Sequence, residues 1–574
     1  CRMLTSYNVK KGNQSFISDN GILYNKTRSI LVAYPANKND KEFKVLDKTS
    51  IIGPYAFACS KIENINLNKV SSIGNAAFIN SSLVSLNILD SVKEIGELSF
   101  AYCYDLKELT IGHGLNNIPS GAFLYNTSLE GVVIPNNIQY ILGGDFGAFE
   151  KCFVLKNVTF EDNSKLVLID KSAFASCNLQ NVSIPKNVVE IRDGAFSLNY
   201  NLNLVTFDKD SVLKSIGEKT FIYNYSLSNI SLPNSLTNIG SFAFSETNLN
   251  EVTIPSSLTS FGEGAFASCN NLENIYVETN NKNYVSIDGV VYSKNKEILI
   301  EYPSGKKIYS YTINNSTKKI GGYAFYGSNN LSYIHLSENL EKIDEYAFAY
   351  VSNLSFINIT DNVTLIGRYA FSYDYNLSSI NFTNNSKLPR ISFASFSNCG
   401  ITSFTIPSNV STISQYAFSG CDNLTQINFA RNSKVDTIPS FMFDGCKSLN
   451  SIIFEEESNL KTIQAHGFAN LNSLTKIDLS NTKVNSVGNY AFANCSNLTN
   501  ITLNNNLTSI GRYAFYKCNN LLSIDIPSSV NYIGRYAFYS NGNIDVYFKG
   551  EVLPATLQEN WDNGIKGYYV GIKD

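Results

Sequence analysis

The chain has 574 residues, with 45 Lys and Arg set against 48 Asp and Glu, a formal net charge of −3. That balance leaves no basic surplus to neutralise phosphates, which argues against nucleic acid as a partner. It also holds no polybasic segment for an anionic membrane surface and no run of roughly 18 apolar residues to span one. Its hydrophobic content, 44%, is enough for a large core.

The chain begins at Cys1 rather than Met, which predicts a processed chain, a trimmed one or a piece of a longer protein. A mature bacterial lipoprotein begins with a lipid-bearing Cys, so Cys1 is a candidate lipid anchor. Next comes an island: Ser18-Asp19-Asn20-Gly21-Ile22-Leu23-Tyr24, followed by Ile30-Leu31-Val32-Ala33-Tyr34-Pro35. The Asn-Gly step between apolar runs predicts a β-hairpin.

From Phe57 onward one Phe returns every 21 to 26 residues, through Phe78, Phe100 and Phe123 as far as Phe266. A second island interrupts the series with Ser286-Ile287-Asp288-Gly289, Tyr292 and Tyr302-Pro303, after which the Phe returns from Phe325 to Phe538. Tyr24 to Tyr292, Pro35 to Pro303 and Phe57 to Phe325 are all 268 residues apart, so the chain reads as a tandem duplication of one island and ten repeats. The tail from Ile544 holds the single Trp, Trp561, and reads as a cap over the last coil.

One repeat shows the design: Leu498, Ile501 and Leu503, then Leu507, Ile510-Gly511 and Ala514-Phe515. Ile501 and Leu503 alternate at period two, the pattern of a short strand with one buried face. The Gly lets the backbone turn where a side chain would obstruct. No repeat buries its apolar edge alone, so coils must stack. All five 25-residue steps carry a longer connection, such as Phe160 to Leu166, so register holds while a loop grows. The fold class expected is a repeat solenoid, mostly β, with parallel strands on the concave face. It has twenty coils of about 22–25 residues, two hairpin islands and a C-terminal cap. Residues 1–275 hold the first island and ten repeats, 276–543 the second set within one continuous solenoid, and 544–574 the cap. At about 4.8 Å per strand, twenty coils predict a curved rod on the order of 100 Å long.

These residues resemble the BspA-type leucine-rich repeat family. The resemblance lies in Ile406-Pro407 to Ala417-Phe418, Cys421 and Leu424, with Ser414 where the family has Gly, in the Gly-Val-x-Tyr island and in the Trp-bearing end. It implies a secreted or surface protein, and several family members act as adhesins toward host or microbial surfaces.

Little in the sequence points to chemistry. Ten of the eleven Cys fall two or three residues after the repeat Phe and predict a buried ladder of free thiols. His113, His335 and His466 lie in distant coils. Asp208 with Asp210, and the run Glu455 to Glu457, read as solvated loop charge before they read as calcium ligands. Leu553-Pro554-Ala555-Thr556 resembles the start of a sortase signal, but Leu557 stands where a Gly is needed, so it reads as a cap loop. Asn-x-Ser/Thr sequons recur, as at Asn80, Asn126, Asn330 and Asn497. No catalytic group, metal site or cofactor is expected, and the chain is not expected to be an enzyme.

The outward strand positions are mostly Asn, Ser or Thr, as at Asn66, Asn87, Thr110, Thr253, Asn358 and Thr502. One stretch departs from this: Tyr276, Tyr333, His335 and Phe356. These four form the candidate binding patch, since exposed aromatics anchor interfaces. The function expected is a cell-surface or secreted binding protein, an adhesin that contacts a protein or glycan ligand on a host or microbial surface. The alternative is a rigid spacer without its own ligand.

Overall fold

The computed structural model describes residues 3–571, and Cys1, the candidate lipid anchor, lies outside the described residues. The chain winds into a parallel-strand β-solenoid of about 24 turns, with no helix among the described residues. It divides into two compact units, Cys1–Val291 and Tyr292–Asp574.

Each coil places residues in two strand rows. In the first unit Ser85–Ile88 pairs in parallel with Glu108–Ile111 of the next coil, with Leu86 and Ile88 buried and Asn87 exposed. A second row is made of two-residue strands: Ser72–Ile73 pairs in parallel with Glu94–Ile95. The sequence predicts the first row and treats the second as a turn. Two residues are too few to show a period, although their Ile is buried in coil after coil.

The Gly after that short strand is required by close approach of successive coils. Gly74 N–H donates to Ile52 O at 2.8 Å, and a Cβ on Gly74 would stand 2.6 Å from Pro54 N. In the second unit a Cβ on Gly511 would stand 2.6 Å from Asn489 N. The tight turn that follows carries left-handed residues two before and two after the Phe, for example Tyr55 (φ 56°) and Cys59 (φ 58°) around Phe57.

That turn drops the Phe ring into a column. In the first unit neighbouring rings stack with centroids from 4.7 Å (Phe57–Phe78) to 5.5 Å (Phe196–Phe221). The second unit starts in the same way, with Phe325–Phe348 at 4.9 Å, and widens to 6.0 Å on both sides of Phe443. The cause is local. The residue before the Phe is usually Ala, but here it is Met442, fully buried, and the next coil answers with Gly467 in the same slot. Successive coils are also tied through the backbone, as where Phe57 N–H donates to Ala77 O at 2.7 Å.

The islands join this architecture. Phe16–Asp19 and Ile22–Asn25 form an antiparallel hairpin across Asn20 and Gly21, both left-handed at φ 47° and 77°, as a type I′ turn demands. Ile30–Ala33 then runs parallel to Ile51–Ile52 and enters the short-strand row. Tyr34 takes the place of a Phe and stacks on Phe57 at 5.0 Å. In the second unit Tyr302 does the same for Phe325 at 4.8 Å. Turns that lack the Phe therefore account for the excess over twenty. At the far end Ile544–Phe548 and Ile565–Val570 extend the long-strand row, and Trp561 packs edge-on to Phe548 at 5.9 Å.

Candidate functional site

Within the second unit, Tyr333–His335 aligns with Ser310–Thr312 on one side, placing Tyr333 beside Ser310 and His335 beside Thr312. One coil further on, Phe356–Ile359 aligns with Ser379–Phe382, placing Phe356 beside Ser379 and Asn358 beside Asn381. The strand period turns Ile334 and Ile357 inward and leaves Tyr333, His335 and Phe356 outward. Tyr333 is 43% exposed and Phe356 38%. Their ring centroids are 5.3 Å apart at 61°, an edge-to-face pair. His335 stands on the outward face of the same strand as Tyr333.

The fourth predicted residue, Tyr276, belongs to the first unit. It lies in Asn274–Val277 beside Thr253 of the preceding strand and is exposed. Sequence reasoning missed Tyr309, which directly precedes the strand Ser310–Thr312 and is 78% exposed. It sits in the island, outside the repeat phase, so no periodic signal marks it.

Beside Phe356 a groove of about 470 Å³ opens, lined among others by Ser379, Asn381, Thr383, Ser403, Thr405 and Arg431. Asn381 donates to Asn358 Oδ1 at 2.9 Å, which carries the amide row across the coils. Arg431 is paired with Glu456 at 3.1 Å. In the first unit the corresponding coils hold Asn64 and Ser85 where the second has Tyr333 and Phe356. Their groove, of about 370 Å³, is lined by Asn87, Asp90, Thr110, His113, Val133 and Glu161. His113 contacts Glu161 at 2.9 Å, and the Asn136 backbone N–H together with that ring holds the Glu161 carboxyl below its usual range.

The thiols are arranged for packing. Cys103, Cys152, Cys177, Cys269, Cys399, Cys421, Cys446, Cys495 and Cys518 are buried and free. Each lies three residues after its Phe, and its S–H donates to the Phe carbonyl of the preceding coil, as from Cys399 to Phe371 O at 2.9 Å. Burial pushes the Cys103 thiol up to about 12. Cys59 departs from the expected ladder. It comes one residue early, at a left-handed position, and is only half-buried. In the same slot, Asp374 is a fully buried carboxyl. It accepts the Val351 N–H at 2.7 Å, and burial raises its pKa well above the usual value.

A second aromatic column runs along the second unit, two residues before the Phe. Tyr323, Tyr346 and Tyr369 stack at 4.9 and 4.7 Å. Further on, Phe441, His466, Tyr490 and Tyr513 stack at 4.8, 5.0 and 4.9 Å. His466 is thus a stacking partner. Among the described residues no group of three or more His, Cys, Asp and Glu is placed to hold a metal ion. Of the sequons, Asn330 and Asn497 are exposed, whereas Asn126 is fully buried and accepts the Cys103 N–H at 2.9 Å, so it is closed to glycosylation.

A family model for the BspA type leucine rich repeat region matches six times, over residues 33–147, 124–221, 145–273, 200–302, 301–425 and 412–545. No curated protein matches the chain. Among solved structures, a leucine-rich repeat protein from Eubacterium ventriosum is 26% identical over 56% of this chain and 78% of its own, with a TM-score of 0.44. A leucine rich cell surface protein from Faecalibacterium prausnitzii is 23% identical over 78% of this chain and 96% of its own, with a TM-score of 0.43. The pneumococcal vaccine antigen PcpA is 20% identical over 85% and 99%, with a TM-score of 0.39. With six family matches running from residue 33 to residue 545, and with the coil that they describe laid out in both units, this chain belongs to the BspA-type leucine-rich repeat family.

Proposed function

We propose that this protein acts outside the cell or on its surface as an adhesin, binding its ligand through the outward face of the long-strand row in the second unit. The observation that carries the reading is the exposed pair Tyr333 and Phe356 in a row built mostly of Asn, Ser and Thr. Large rings left in water are costly unless a partner covers them, and such rings anchor interfaces. His335 and Tyr309 extend the surface beside them. The name of the Faecalibacterium relative, a cell surface protein, agrees with this placement. The stacked coils serve to hold the patch rigid, and binding rather than catalysis is its task.

The test is binding of the purified chain to an array of matrix proteins and glycans, with and without Tyr333→Ala plus Phe356→Ala. Saturable binding that the double substitution weakens is expected. Saturable binding that ignores it would remove the patch, and silence across the array would favour a spacer.

A further inference from the structure

We infer that the ligand of this patch is a neutral glycan, its sugar rings stacking on Tyr333 and Phe356 and its hydroxyls bonding along the groove beside them. The inference rests on the binding role proposed above and names the class of ligand.

A sugar ring has an apolar C–H face and an edge of hydroxyls, so its site needs open aromatic faces beside neutral donors and acceptors. The second unit carries several sets of outward rings, and the pair in the long-strand row differs from the stacked column in leaving ring faces open. In the column from Tyr323 to Tyr369 the rings lie parallel at 4.7 to 4.9 Å, and Tyr346 is covered on both faces by its neighbours. Tyr333 and Phe356 instead meet edge to face at 61°, so the contact between them covers at most one face of one ring.

The surroundings supply the second half of the chemistry. Ser310, Thr312, Asn358, Ser379, Asn381 and Thr405 are hydroxyls and amides, which both donate and accept. Arg431 is the one charged side chain in the groove lining among the described residues, and Glu456 already neutralises it. A polyanion finds no field here. A protein partner buries about 800 Å² per side around a desolvated hydrophobic centre, whereas in the coils beside the two rings and His335 this row is mostly amide and hydroxyl. The groups also follow one another coil by coil: the Tyr333 ring, the Phe356 ring, then the Ser379 hydroxyl with the Asn381 amide beside it on the same strand. A polymer of like units laid across the coils meets each in turn.

The first unit supplies the control. Its matching strand positions are Asn64 and Ser85, and its groove carries Asp90, His113 and Glu161. The exchange Tyr333→Asn with Phe356→Ser therefore gives the second unit residues that the same strands of this coil already accommodate. Asn381→Ala is the second variant, removing an exposed amide and no ring.

The experiment measures binding of the full chain to mannan, galactan and chito-oligosaccharides, with heparin and gelatin alongside. Saturable binding to at least one neutral glycan is expected. It should be insensitive to salt, weakened roughly tenfold or more by the double exchange and several-fold by Asn381→Ala. Binding to gelatin that the double exchange abolishes, with none to the glycans, overturns the ligand class and leaves the binding role standing. Salt-sensitive binding to heparin alone overturns the neutral class. Glycan binding untouched by both variants overturns the site, and silence toward every probe overturns the binding role as well.

Discussion

Phe100 in the first unit and Phe371 in the second occupy the same place in the coil. Each is fully buried, with ring neighbours at 5.1 and 5.5 Å for Phe100 and at 5.1 and 5.7 Å for Phe371. Two residues earlier the units part: Leu98 stands in one and Tyr369 in the other, both left-handed at φ 55° and 54°. The outward strand positions part in the same way, with Asn64 and Ser85 against Tyr333 and Phe356. The buried column is confined between two neighbours and admits one shape. The outward positions are confined on one side only, so duplicated coils could diverge there and acquire a surface while the core stayed as it was.

The largest effect is expected in the column. Phe371→Ala removes a ring held on both sides and should cost about 3–5 kcal/mol of stability, read by chemical denaturation, with Phe100→Ala costing as much. At Phe443, where both gaps are already 6.0 Å, the same change should cost less. Equal losses at all three sites would show that ring spacing plays no part in the energetics.

Asp374 gives a smaller, pH-dependent difference. The first unit has Cys103 in the corresponding slot, and elsewhere in that slot it uses Asn126 and Asn199. Burial raises the Asp374 pKa above its unfolded value, so its charge opposes folding. The sign follows: stability is fully present below the unfolded pKa and is lost as pH rises through the folded one. Asp374→Asn should therefore stabilise the chain by about 1–3 kcal/mol at neutral pH and flatten the loss between acid and neutral conditions. A melting profile with the same pH slope in both proteins would rule this out.

Much of this was legible in the sequence because burial writes a period. The Phe series, the alternation around Ile501 and the Asn-Gly and Asp-Gly hairpins each carry their own local cause. The two-residue strand row was not legible, because pairing between coils, and not pattern within one, makes it. Cys59 was misplaced because one residue of offset separates a buried slot from a left-handed exposed one. The outward direction of Tyr333, His335 and Phe356 follows from strand parity, but the edge-to-face angle that leaves a ring face open depends on neighbouring coils and has no trace in either segment.

The smallest expected effect concerns the left-handed column, and it separates strain from stacking. A side chain at such a φ costs roughly 1–2 kcal/mol that Gly avoids, while a stacked ring pair returns about 0.5–1.5 kcal/mol. Tyr346 stacks on Tyr323 and Tyr369 at 4.9 and 4.7 Å, so Tyr346→Gly relieves strain and loses two contacts, for a net cost of about 1 kcal/mol. Leu98 has the same backbone and no ring stack, so Leu98→Gly should cost nothing or stabilise slightly. The first unit already makes this choice at Gly121, Gly194 and Gly264, all left-handed at φ 63°, 63° and 59°. If denaturation shows equal losses for the two substitutions, the second column of rings merely fills space. If Tyr346→Gly costs more, stacking is what lets the second unit carry aromatic side chains where the backbone itself favours Gly.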